Sequence, residues 1–273
     1  MKKLMALLMA AMMLFALAAC SGEGEETQGN ENDNEENNNN EQAETLTMGT
    51  SADYAPFEFH TMIDGTDTIV GADIEMAKAL AEDMGKELEI KDVSFDVLLN
   101  ELQNGTIDMV IASMSADEER EAQCDHSDVY YDAAYQRLIV REEDAGKFTS
   151  FDDFEGAKVA VQSGTIQVEL ANENLTGCET VILQTVPDAF NNLINGKVDA
   201  VLVDGYVGDS YIETNEGLVA VEAEFPPQDG FVVWVQKGDP KGLLESINKT
   251  VAEIKGETYE GWVAEARELS GEE

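Results

Sequence analysis

Ser113 and Asp204 stand just past two segments of this chain that echo each other. Leu102-Gln-Asn-Gly105-Thr-Ile-Asp108-Met-Val110-Ile111 matches Leu193-Ile-Asn-Gly196-Lys-Val-Asp199-Ala-Val201-Leu202 at a constant offset of 91 residues (102 to 193, 108 to 199). Each reads as the end of a helix, a glycine C-cap and a short buried strand starting at the aspartate. In open α/β sheets ligands gather beyond the carboxyl ends of strands, so a serine and a carboxylate there are candidates for one shared cleft. Close by in sequence, Ser115-Ala-Asp117-Glu118 has the spacing of a capping box, and Arg120 follows it. Ser115 could cap a helix, supply a hydroxyl to a ligand, or both; Arg120 alone could be an ordinary surface arginine. Gly164-Thr165, after the strand-like Lys158-Val-Ala-Val161, opens a helix whose first amides carry a partial positive charge. Asp204 could cap a helix beginning at Gly205, and Gln167 could sit in a first turn without touching a ligand. His60 and His126 have no nearby Ser or Cys motif for nucleophilic catalysis. Two His and three Cys leave little for a zinc site or a disulfide framework, and no metal or cofactor is expected.

The elements that must position these residues alternate strand and helix, the mark of an α/β fold. Leu46–Thr50 reads as a strand and Asp73–Met84 as a helix with Ile74, Ala77, Ala81 and Met84 on one face, ended by Gly85. Glu87–Val93 is strand-like and Phe95–Asn104 helical. Phe231–Val235 reads as a strand, and Pro240–Ile254 and Tyr259–Leu269 as helices.

Composition excludes several function classes. With 16 Lys+Arg against 57 Asp+Glu, the net charge of -41 cannot neutralise a run of phosphates or adhere to anionic lipid. At 43% hydrophobic, the chain can still bury a core. Lys2 and Lys3 precede an apolar run, Leu4–Ala19, too short to span a bilayer, which reads as a secretory signal peptide over 1–19. Its Leu17-Ala-Ala-Cys20 ending resembles the bacterial lipobox, which implies cleavage before Cys20 and lipid on its thiol; the alternative is an ordinary signal peptide with an incidental cysteine. Residues 20–44 are rich in Glu and Asn, with no aromatic and no basic residue, and read as a disordered tether.

Across the body, Gly49-Thr-Ser-Ala-Asp-Tyr54-Ala-Pro56-Phe57-Glu58-Phe59, Gly71-Ala-Asp73-Ile-Glu75-Met and Ser113-Met-Ser115-Ala-Asp-Glu-Glu-Arg120 occur in order. Gly164-Thr165, Val198-Asp199-Ala200 leading to Asp204, and Gly256-Glu-Thr-Tyr259-Glu-Gly-Trp262 follow. The set resembles the extracellular solute-binding proteins of polar amino-acid ABC importers, in lipoprotein form. It departs from that family at Ala72, Asp117 and His126, where a larger apolar residue, a Thr and a Phe are usual. The resemblance implies a two-lobed periplasmic-binding-protein type II architecture, with two mostly parallel sheets, flanking helices and two hinge strands. Lobe one would be 45–135 plus 231–270, and lobe two 136–230.

The resemblance also implies a monomer held by lipid on Cys20 at the extracytoplasmic face of the cell membrane, handing a polar amino acid to a membrane permease. In that setting Arg120 matches the residue that takes the ligand carboxylate bidentately, and Thr165 adds amides. Asp204 takes the ammonium, Ser113 and Ser115 supply a carbonyl and a hydroxyl, Gln167 could contact the ligand, and Tyr54 and Phe95 sandwich its side chain. Tyr54 and Phe95 could instead be core aromatics. Ser51 occupies the position where members selective for cations often carry an acid; Asp53 or Asp117 could substitute, or the ligand could be neutral, such as glutamine. Cys124 and Cys178 fall in different lobes, where a disulfide would resist closure, so free thiols are expected. Two other classes remain: a surface sensor for the same ligands, and a cyclohexadienyl-dehydratase-like enzyme using Asp117 or His126 as its acid–base group. Arg120→Ala and Asp204→Ala are each expected to abolish ligand binding with the fold intact, since losing one buried charge partner costs about 2–5 kcal/mol. Calorimetry on the purified variants checks this, and wild-type affinity in either would remove that residue from the site.

Overall fold

A computed structural model describes residues 44–132 and 135–271. The expected signal peptide, Cys20 and the tether up to residue 43 lie outside the described residues. Two five-stranded sheets with the same plan organise the rest. In the first, Glu87–Asp92, Thr45–Thr50 and Met109–Val110 run parallel, and Trp234–Gln236 and Cys124–His126 join antiparallel. In the second, Glu179–Leu183, Lys158–Gln162 and Ala200–Asp204 run parallel, and Gln136–Arg141 and Leu218–Ala220 join antiparallel. Both sheets are thus mixed, where mostly parallel sheets were expected. The antiparallel neighbour of each parallel trio, Trp234–Gln236 or Gln136–Arg141, is the strand the chain reaches directly after crossing from the other sheet, with no helical crossover to return it in parallel sense. A small antiparallel sheet, Asp53–Tyr54, Glu58–Ile63 and Thr66–Val70, carries the first loop.

The sequence echo corresponds to one hydrogen-bonding device used twice. Asp108 donates its amide to the Thr47 carbonyl at 2.8 Å, and its carboxylate accepts from the Thr47 amide at 2.7 Å. Asp199 does the same with Lys158, at 2.8 Å in both directions. Each aspartate therefore sets the register of a short strand against its parallel neighbour before the ladder begins. Ser113 and Asp204 then leave corresponding strands at corresponding ends.

Helices cover both sheets through their apolar faces. On Ala72–Asp83, Ile74, Met76, Ala77 and Leu80 are fully buried. Gly71 precedes it at φ 131°, where a Cβ would lie 2.0 Å from the Phe57 carbonyl oxygen, so this position admits glycine alone. The expected helix from Pro240 begins at Leu244, because the Asp239 carboxylate accepts the amides of Leu243 (2.8 Å) and Leu244 (3.1 Å) and holds the preceding residues in a turn. The expected strand Phe231–Val235 becomes regular only at Trp234. Phe231 instead pairs with Tyr131 and Ser115, at the place where the two sheets connect. Phe57, Tyr131 and Phe231 meet there with ring centroids 5.4–5.8 Å apart.

Asp108→Ala is expected to cost about 1–2 kcal/mol of stability, because it orphans a mostly buried amide. Asp199→Ala should cost clearly less, since its side chain is 40% exposed against 11% for Asp108, and water can replace it. Urea unfolding of the two variants checks the order; equal losses would contradict it.

Candidate functional site

Between the sheets lies a cleft of about 420 Å³. All eight residues singled out from sequence line it: Tyr54, Phe95, Ser113, Ser115 and Arg120 on one side, and Thr165, Gln167 and Asp204 on the other.

Arg120 is held from four directions. Its Nε pairs with Asp117 at 3.0 Å, its Nη1 donates to the Ser115 carbonyl at 2.7 Å and its Nη2 to the Gly164 carbonyl at 3.0 Å. The guanidinium carbon lies 5.8 Å from the centre of the Phe95 ring. Phe95 therefore backs Arg120 as well as lining the cleft. A guanidinium carries five N–H bonds; three are engaged, and two remain. Burial lowers the Arg120 pKa, and Asp117, Glu119 and Glu169 oppose that shift.

The capping-box reading of Ser115 does not hold. Helix Glu118–Gln123 is capped by Asp117, whose carboxylate accepts the Arg120 amide at 2.8 Å. Ser115 sits two residues before the cap, its carbonyl committed to the Arg120 side chain. Asp117 thus orients Arg120 through both its backbone and its side chain.

Asp204 combines the two roles weighed for it. It caps helix Gly205–Thr214 by accepting the Tyr206 amide on Oδ1 at 3.0 Å. Its Oδ2 is buried with no hydrogen-bond partner. At 1% exposure, burial pushes its carboxyl up to about 7, against the lowering pull of the Tyr206 and Val207 amides. An orphan carboxylate oxygen in a closed cleft is an electrostatic vacancy for a cation.

Thr165 precedes helix Ile166–Asn174, and its hydroxyl donates to the Gln162 carbonyl at 2.8 Å. Gln167, in the first turn, is buried and donates to Gln136 Oε1 at 2.8 Å. Tyr54 packs beside Phe57, and burial together with the Asp204 charge raises its phenol well above the usual range.

Sequence reasoning missed Glu58, Gln136 and Gln162, which also line the cleft. Glu58 is 1% exposed; it accepts the Ser113 hydroxyl at 3.1 Å and lies against Asp73. Asp73 is held by the Tyr130 hydroxyl (2.9 Å), the Tyr259 hydroxyl (2.5 Å) and the Ser113 amide (2.8 Å). Burial and the Asp73 charge drive the Glu58 carboxyl well above the carboxylate range, so it keeps the proton of the pair. The available signal was an acid inside the apolar run Phe57-Glu58-Phe59. Asp53 also lines the cleft, but both its oxygens are bonded across it to Gln162 and Val186. Burial raises its carboxyl, and those donors pull it down.

Asp117 and His126 do not face this cleft together. His126 lies against the Trp234 ring at 5.1 Å and bonds the Ser127 carbonyl at 2.7 Å. Cys124 lies in the first sheet and Cys178 beside the second, both as free thiols.

The chain matches the model of the bacterial extracellular solute-binding proteins, family 3, over residues 46–264. It is 34% identical over 269 residues to the arginine-binding extracellular protein ArtP of Bacillus subtilis, covering 93% of each chain. Its fold superposes at TM-score 0.79 and 36% identity on an amino acid ABC transporter substrate-binding protein from Streptococcus pneumoniae bound to L-arginine, covering 82% of this chain and 94% of that one. At TM-score 0.73 and 32% identity it also resembles the ancestral amino acid-binding protein AncCDT-1, a precursor of cyclohexadienyl dehydratase, covering 81% and 94%. Lobed sheets of one plan, a cleft between them holding a poised arginine and an orphan carboxylate, and a family match across the whole body agree: the chain belongs to the bacterial extracellular solute-binding proteins of family 3.

Proposed function

We propose that this protein captures a cationic amino acid, arginine foremost, in the cleft and delivers it to the permease of an ABC importer, tethered to the membrane through lipid on Cys20. The observation that carries the reading is the pairing, within one cleft, of a guanidinium with two free N–H bonds and a carboxylate with a free oxygen. An α-amino acid presents the complement, a carboxylate and an ammonium on adjacent carbons, and each charge would otherwise lose water without replacement.

Charge balance favours a cationic side chain. With Glu58 protonated, the lining carries Asp53, Asp204 and Arg120, a net of one negative charge. A zwitterion with a neutral side chain leaves that charge buried, whereas arginine cancels it. Asp53 and Asp117, the acids weighed for that role, are committed to Gln162 and Val186 and to Arg120. Similarity to proteins named as arginine-binding or bound to arginine supports the same ligand.

Binding without turnover fits the placement of the two groups weighed for acid–base catalysis. Asp117 is consumed by Arg120, and His126 is consumed by Trp234 and Ser127. Closure about the two connections between the sheets would seal the ligand, and delivery reverses it.

A melting scan of the body from Thr45 against the common amino acids is expected to show arginine giving the largest shift. A ligand at about 100 times its dissociation constant adds roughly 2.7 kcal/mol. A shift with glutamine alone would overturn the cationic reading, and turnover of a cyclic acid would overturn the binder. Acidification is expected to weaken binding below about pH 7, by up to about tenfold per pH unit, because the ammonium needs Asp204 ionised. The ligand-free protein should respond oppositely. A carboxyl near 3.8 unfolded and about 7 folded binds more protons in the folded state, so stability falls as pH rises between those values and levels off above. Calorimetric titration from pH 5 to 8 checks the first trend, with Asp204→Asn as the variant that should lose it.

A further inference from the structure

Asp53 makes the densest set of polar contacts across the cleft, yet no cation pairs with it among the described residues. Its Oδ2 accepts from Gln162 Nε2 at 3.0 Å and from the Val186 amide at 3.0 Å, while Oδ1 takes the Ser51 hydroxyl at 3.2 Å. Gln162 is buried and its amide is steadied on its own side by the Gln184 carbonyl at 3.1 Å. Asp53 lines both the ligand cleft and the wider groove containing His60, Tyr211 and Arg267, so it forms part of the wall between them.

The receiving helix explains why an acid is needed there. Val186–Ile194 opens after Thr185, whose hydroxyl accepts the Asp188 amide at 3.2 Å and whose carbonyl accepts the Ala189 amide at 3.3 Å. The second helical residue, Pro187, has no N–H. The Val186 amide is left as the first-turn donor without an acceptor on its own side among the described hydrogen bonds. It is pointed at the opposite lobe, where the positive end of the helix favours an anion. Parting the sheets would leave Val186 and Gln162 to water.

We propose that Asp53 is a positioning residue, a bolt that holds the cleft shut over the bound amino acid by accepting the first amide of the opposite lobe's Val186–Ile194 helix together with Gln162. It acts on the ligand through closure rather than by contact, since its oxygens are already taken. The proposal rests on the solute-binding reading and adds the residue that sets how long the ligand stays. The bolt forms after encounter, so its loss acts on release rather than capture. Because it does not read the ligand side chain, it weakens all bound amino acids alike.

Stopped-flow binding of arginine to the full chain tests this with two variants. Asp53→Ala removes the carboxylate. Val186→Pro removes the amide hydrogen and exchanges a buried valine side chain for a ring, at a first helical position where proline is favoured and after Thr185 in extended conformation. Each is expected to speed release about 10- to 100-fold, as for lost hydrogen bonds to a charged group. Association should stay within about threefold, and the double variant should be no worse than Asp53→Ala alone, which already removes the acceptor of both donors. The ratio of arginine to glutamine affinity should hold in all three. Unchanged release in Asp53→Ala, additive losses, or a defect confined to cationic ligands would overturn the bolt, the last by making Asp53 a direct reader of ligand charge. If the wild type binds no amino acid, the solute-binding reading fails. The bolt is then judged on the ligand-free protein, where small-angle scattering should show Asp53→Ala and Val186→Pro more open than wild type; identical profiles would overturn it.

Discussion

Desolvated charge without a partner is the constraint around which this molecule is arranged. Asp204 is buried with one oxygen unsatisfied, and Arg120 is buried with two N–H bonds unused, in the same cleft. Neither charge would persist in an apolar site unaided, because taking an ion out of water costs several kcal/mol. The backbone supplies part of the compensation. Helix amides meet Asp204, and the Ser115 and Gly164 carbonyls meet Arg120. What the protein leaves unmet is the complement of an amino-acid zwitterion, so the ligand supplies partners for both charges.

Holding Arg120 ready requires groups from both sides of the cleft. Asp117 and Ser115 belong to its own lobe, Gly164 to the other, and Phe95 offers its face. A long flexible side chain is thereby held in one geometry, which lowers the ordering entropy of binding. The Arg120–Gly164 bond and the proposed bolt at Asp53 both span the cleft.

The two sheets owe their likeness to a repeated local solution. A short strand entering a parallel ladder has few backbone bonds to fix its register, and a one-residue slip would turn every side chain to the wrong face. Asp108 and Asp199 each clamp one neighbouring residue by amide and carboxylate together. With register set twice in the same way, Ser113 and Asp204 both emerge into the cleft.

Much of this was legible in the residues themselves. Apolar periodicity marks the helices, glycine and aspartate spacing marks the repeated unit, and the ordered motifs bring Tyr54, Ser113, Arg120, Thr165 and Asp204 to one cleft. Those signals are local, since propensity, capping and strand entry depend on neighbours a few residues away. The fates of Glu58, Asp53 and Phe95 are not local. Burial beside Asp73 raises the Glu58 carboxyl well above its usual range, Asp53 is claimed by Gln162 and Val186, and Phe95 lies against Arg120. The same holds for the antiparallel strands beside each crossing. Sequence alone determined which chemistry the chain carries; which carboxylate keeps its proton, which is satisfied and which is left open was decided by tertiary packing, because burial and partners at long sequence separation set the energy of each charge.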